Sequence, residues 1–133
     1  CMAPAASHTI AQNFRDFQRG PLDYDKIITG DLGYVGREIL IDLLKKEGYD
    51  ISQKHMDCGI EIYDQETQDT HAGGSGCGCS AAVLSALILP NIQKGIWKNV
   101  LFVPTGALLS PVSFNEGQSV PGIAHGIVLE HCE

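Results

Sequence analysis

A chain of 133 residues with 44% hydrophobic and 19% charged side chains holds one compact core, and its composition excludes both a disordered segment and a membrane-embedded bundle. The formal net charge is −7 and the nine basic residues do not cluster, which argues against nucleic acid as a partner and against unaided binding to anionic lipid. No stretch approaches the ~20 apolar residues of a bilayer span, and the N-terminus lacks a signal-peptide pattern, so a cytoplasmic chain is expected.

In chain order, Pro4 to about Arg19 reads as an amphipathic helix, with Pro4 in its first turn, Ile10, Phe14 and Phe17 on one face, and Gly20-Pro21 as its stop. The abrupt entry into this helix reads as a piece of a longer protein. Lys26 to Thr29 is a short β-branched run, expected as a buried strand. Gly30-Asp31-Leu32-Gly33 then turns into a second helix, about Tyr34 to Glu47, whose buried face is expected to carry Val35, Ile39, Leu43 and Leu44, with Gly48 closing it.

Gly59 to Tyr63 alternates in the manner of a strand, and Asp64 to Thr70 is a polar loop. The glycine-rich run His71 to Ser80 enters the apolar stretch Ala81 to Leu89, a pattern that predicts a central helix kinked or ended by Pro90, with a last turn reaching Lys94. Val100 to Val103 predicts a strand, Pro104 to Gly122 a long loop, and Ile123 to Leu129 a final strand. After the opening helix the order is strand, helix, strand, helix, strand, strand. That alternation indicates an α/β fold, one domain over residues 1–133, with a sheet covered by helices on both faces.

Two glycine turns are the candidate binding elements. Gly30-Asp31-Leu32-Gly33 lies between strand and helix, and helix-start amides there suit an anion. Its glycines are three apart, however, where a dinucleotide fingerprint needs the first two separated by one residue. The bland alternative is a tight turn in which Asp31 satisfies the free amides. The second turn, Gly73-Gly74-Ser75-Gly76 with His71 before it and Cys77 after it, could form a nest for a carboxylate, a phosphate or an oxyanion. Ser75, Cys77, Cys79 and Ser80 could add side-chain hydrogen bonds, and the equally open alternative is that small residues let two helices cross closely.

The five cysteines, Cys1, Cys58, Cys77, Cys79 and Cys132, are an odd number and do not resemble a disulfide framework; reduced, mostly inert thiols are expected. His55, Asp57 and Cys58, or His131 and Cys132, could be imagined around a metal, but neither set has a known ligand spacing. Neither a metal nor any other cofactor is expected. The long loop carries Phe114, Asn115 and Glu116, which could line a pocket or a partner surface.

The strings Thr29-Gly30-Asp31-Leu32-Gly33-Tyr34-Val35-Gly36-Arg37-Glu38, Asp69 to Ser80 and Pro104 to Pro111 resemble the stage V sporulation protein AD family, as do Met2 to Ala6 and Phe114 to Gly126. The resemblance runs over almost the whole chain and corresponds to the family's C-terminal half. That family is similar to the thiolases and ketoacyl synthases. The resemblance therefore implies a thiolase-like half-domain with a five-stranded mixed sheet in the intact half, its first strand missing here.

Active ketoacyl synthases place a histidine at the turn matching Thr29-Gly30-Asp31 and an asparagine at the one matching Gly73-Gly74-Ser75-Gly76. This chain has neither, so the resemblance implies a binding pocket rather than a catalytic one. It further implies uptake of dipicolinic acid, with calcium, into the spore. The expected setting is the cytoplasmic side of the inner forespore membrane, as a peripheral protein with other stage V A-group proteins. The expected ligand contacts are Gly30, Asp31, Gly33, His71, Gly73, Gly74, Ser75, Gly76 and Cys77. Packing against the protein's own N-terminal half is implied, and a homodimer is possible. The competing expectations are an acyltransferase that takes its nucleophile from the N-terminal half and uses His71 or Cys77, and a scaffold that docks membrane partners through the Leu108 to Gly122 loop.

Overall fold

The structure, a computed structural model, describes residues 2–61, 82–107 and 122–132. Its frame is a mixed sheet built from β1 (Lys26–Thr29), β2 (His55–Asp57), β3 (Asn99–Val103) and β6 (Ile127–Glu130), in the order β2-β1-β3-β6. β1 runs parallel to both β2 and β3, and β6 closes the sheet antiparallel to β3. A separate ribbon pairs β4 (Thr105–Ala107) with β5 (Gly122–Ala124). The expected α/β class with a mixed sheet holds, and among the described residues the main sheet has four strands; the five expected of the intact half are not seen.

The helices α1 (Ala3–Phe17) and α2 (Gly33–Lys46) cover one face. Strand alternation sends Ile27, Leu101 and Val103 to that side, where they meet Ala6, Ile10 and Phe14 of α1 and Leu40 and Leu44 of α2. The opposite face receives Ile28, Val100 and Phe102, packed on Val83, Ile88 and Ile92. Each such aliphatic side chain removed from water contributes roughly 1.5–3 kcal/mol, so β1 and β3, apolar on both faces, are the anchor of the fold.

The helix below the sheet contains a π-helical turn, Leu84–Ile88, that runs straight into α4 (Leu89–Gln93). Pro90 explains the wider turn. It cannot donate a hydrogen bond to the preceding turn and its ring crowds the carbonyl there, so the backbone opens by one residue without ending the helix. Asn91 donates its side-chain N–H to the Leu87 carbonyl one turn earlier, at 2.7 Å. The helix thus continues past Pro90, as one of the two expected outcomes allowed.

Several local expectations are corrected. Phe17 is exposed at the end of α1, and Val35 and Ile39 lie on the outer side of α2. The buried seam of α2 is instead Gly33, Gly36, Leu40 and Leu44, which recur at helical spacing on one face. The strand expected from Gly59 begins earlier, at His55, and the chain then enters a single helical turn, α3 (Cys58–Glu61). The strand expected over Ile123 to Leu129 is two, interrupted at His125-Gly126, and the start of the long loop is the ribbon strand β4. Thr9 donates to the Ala124 carbonyl at 2.7 Å, tying that ribbon to α1 and so separating β5 from the main sheet.

Candidate functional site

The C-terminal ends of the parallel strands β1 and β2 meet the start of α2, and the polar interior of the domain is concentrated there. The register sets Ile27 beside His55 and Thr29 beside Asp57, so these side chains share the face that α2 covers. Thr29, His55 and Asp57 are 0%, 6% and 1% exposed, which makes their hydrogen bonds obligatory.

Thr29 donates its hydroxyl to Asp57 Oδ1 at 2.6 Å, and His55 Nε2 lies 2.9 Å from Thr29 Oγ1. With the hydroxyl proton committed to the carboxylate, the imidazole must donate from Nε2, so the neutral Nε2–H tautomer is the one that fits. His55 Nδ1 then carries a buried lone pair without a hydrogen-bond partner. Burial first, and the positive charge of Arg37 second, push the imidazole from its ordinary 6.5 down to about 4.

Asp57 is the acceptor on which the turn is built. The Leu32 N–H donates to its Oδ1 at 2.8 Å and the Gly33 N–H to its Oδ2 at 3.1 Å. The residue at the N-cap position of α2, Leu32, has no capping side chain, so a carboxylate from the neighbouring strand performs that task. Gly33 has φ +72°, a conformation that glycine adopts without strain. The turn is also pinned from β3, where the Val103 carbonyl accepts the Gly30 N–H at 3.1 Å, and from α3, where the Gly59 N–H donates to the Gly30 carbonyl at 3.2 Å.

Asp31 does not cap the helix; it sits over Gly59. A Cβ placed on Gly59 would lie 1.9 Å from Asp31 Oδ1 and 3.2 Å from Asp57 Oδ2. A groove of about 360 Å³ runs beside the turn, between Met2 and Ala3 of α1 and Asp31, Leu32, Val35 and Ile39. Its wall is apolar apart from the Asp31 carboxylate, which disfavours an anion in that groove.

Of the expected ligand contacts, Gly30, Asp31 and Gly33 are brought together. The amides of Gly30 and Gly33, and that of Leu32 between them, are already taken by the protein's own acceptors. His71, Gly73, Gly74, Ser75, Gly76 and Cys77 lie outside the described residues, as do Cys79, Ser80 and the Phe114 to Glu116 tip. The residues that sequence reasoning missed are Thr29, His55 and Asp57 as a unit. The usable signal was a polar His-Met-Asp run too short to alternate convincingly, followed by a cysteine and a glycine.

Among the described residues no group of three or more His, Cys, Asp or Glu is arranged to hold a metal ion. Cys58 is buried and Cys132 exposed, both reduced, and His131 is turned toward the Ile92 carbonyl at 2.5 Å. No helix among the described residues is long and apolar enough to cross a membrane.

Comparison with known proteins gives one consistent answer. The family model described as Stage V sporulation protein AD matches residues 1–130. The curated protein "Stage V sporulation protein AD" of Bacillus subtilis (strain 168) is 49% identical over 129 residues, which are 97% of this chain and 38% of the relative. The chain therefore spans well under half the length of the curated relative it matches.

Proposed function

Because this chain belongs to the stage V sporulation protein AD family, we propose that it is part of a protein that binds dipicolinate for uptake into the spore, with a degenerate thiolase-like pocket that holds ligand without turning it over. The observation that carries the reading is the family match across residues 1–130. The site supports the non-catalytic side of it. Where a condensing enzyme needs a donor aimed at a developing oxyanion, this chain has a turn whose amides are spent on Asp57 and Val103, with no histidine in it.

Dipicolinate is a small planar dianion, best held by backbone amides and dipoles in a chain whose net charge is −7. With the amides at the start of α2 engaged by Asp57, the Gly73 to Cys77 run is the better candidate for the carboxylates. In the full-length protein the other half packs on the outward side of the helix carrying Ala82, Ser85 and Ala86, where small exposed residues permit close approach. Attachment to the inner forespore membrane then depends on other stage V A-group proteins, since the acidic chain has little attraction for anionic lipid.

The test is calorimetric titration of dipicolinate into the full-length protein and into a Gly74→Val, Ser75→Val variant. Saturable binding that the variant loses is the expected result. Retained binding in the variant would move the pocket away from that turn, and no binding by the folded full-length protein would overturn the reading. Acyl-CoA turnover by the same sample is expected to be absent; product formation would favour an acyltransferase instead.

A further inference from the structure

We propose that His55 and Asp57 form an acid-released latch: protonation of His55 lifts β2 from β1, and Asp57 leaves the first turn of α2 with it, opening the Gly30–Gly33 turn. The mechanical link is the strand itself. His55 and Asp57 are two residues apart on one face of a three-residue strand, and both reach the same partner, Thr29. Among the described residues β2 and β6 each pair on one side alone, and the three-residue register of β2 on β1 is shorter than the four-residue register of β6 on β3, so β2 is the more weakly held edge of the main sheet.

The neutral ring fits as it stands: Nε2–H donates to Thr29, and Nδ1 keeps a buried, unshared lone pair. A proton on Nδ1 would create a buried cation with an unmet donor. Three kinds of group face it. Arg37 on α2 repels it, Asp57 on β2 directs its oxygens at Thr29, Leu32 and Gly33 and not at Nδ1, and β1 presents only the uncharged Thr29. Moving the ring to water relieves the strain, and β2 must move with it. The amides of Leu32 and Gly33 then lose their acceptor, because α2 has no cap of its own. Two helix-start donors that are internally satisfied at neutral pH thus become available in acid.

Amide hydrogen exchange on the full-length protein at pH 7 and pH 5, corrected for intrinsic rates, reads the latch directly. With the ring at about 4 when closed and at its ordinary 6.5 when open, the opening equilibrium rises roughly twentyfold between those pH values. The expected result is that loss of protection at Leu32 and Gly33, with Leu101 in β3 unchanged. His55→Gln keeps a donor for Thr29 but cannot take up a proton, and it should abolish the response. Unchanged protection at Leu32 and Gly33, an equal loss at Leu101, or an equal response in His55→Gln would each overturn the proposal. Should the variant fail to fold, the wild-type imidazole titration followed by NMR decides. A midpoint near 6.5 in the folded protein overturns the latch, and a depressed midpoint with exchange broadening at Leu32 and Gly33 supports it.

Discussion

Asp57 caps a helix that begins twenty-four residues before it: its Oδ2 accepts the Gly33 N–H at 3.1 Å, across the gap between the end of β2 and the start of α2. The same carboxylate takes the Leu32 N–H and the Thr29 hydroxyl, so one buried side chain joins β1, β2 and α2.

Removing that acceptor takes the partner from the Leu32 and Gly33 amides and the short acceptor from the Thr29 hydroxyl, at about 1–3 kcal/mol for each donor left unmet. Asp57→Ala is therefore expected to destabilise the domain by about 3 kcal/mol or more in urea unfolding. Asp57→Asn, which keeps one carbonyl oxygen but turns an amide toward one of the backbone donors, should lose less. The exposed Asp42→Asn serves as the comparison and should stay within ~0.5 kcal/mol of wild type. Equal stability of Asp57→Ala and wild type would mean the capping bonds contribute nothing.

Gly59 is required by Asp31, whose carboxylate fills the space a side chain would need. Gly59→Ala should cost about 1–3 kcal/mol through overpacking. The double variant with Asp31→Ala should recover part of that loss, giving a non-zero coupling in a double-mutant cycle. Strict additivity of the two substitutions would show that the contact is absent in solution.

The depressed imidazole gives stability a specific pH dependence. The folded protein holds His55 at about 4 against an ordinary 6.5, so in acid the unfolded chain binds a proton the folded chain does not. That contribution is complete above pH 6.5 and is lost as the pH falls from there through 4; it amounts to roughly 3 kcal/mol at one pK unit per ~1.4 kcal/mol. Urea midpoints measured across this window should fall steeply for wild type and less steeply for His55→Gln. Parallel curves would assign the acid sensitivity to other groups.

Asp25 stitches β1 to β3 from the opposite end of the sheet. Its carboxylate accepts the Lys98 N–H at 2.6 Å and the Asn99 N–H at 3.0 Å, and its own N–H donates to the Asn99 carbonyl at 2.8 Å. The bonds from Asn99 and then Lys98 hold its carboxyl below the usual aspartate range. Its stabilisation is thus present above pH 3.8 and lost as the pH falls through the lowered value. Asp25→Ala should cost about 1 kcal/mol, less than Asp57→Ala because water can replace the lost bonds at this partly open position. A loss as large as that of Asp57→Ala would contradict this ranking.

Much of the architecture was legible in the chain. Pro4, Gly20-Pro21 and the Ile10–Phe14 spacing place α1, and Lys26 to Thr29 and Val100 to Val103 are found as β1 and β3 because both are apolar on successive residues. Gly48, with φ +93°, closes α2 as its position suggests. Local pattern suffices for these elements because the residues that define them also bury themselves.

The tertiary structure alone decided the rest. His55-Met56-Asp57 is too short to announce a strand by pattern, since its buried side chains are polar and are stabilised by Thr29 and by amides more than twenty residues away. Which residue would cap α2 was equally hidden: Asp31 stands in the right place in sequence, yet the sheet register brings Asp57 to the amides and leaves Asp31 over Gly59. Periodicity reports which side of an element is apolar. It cannot report which distant acceptor meets a backbone donor, because that depends on the pairing of β1 with β2, a long-range contact whose free energy comes from the assembled core.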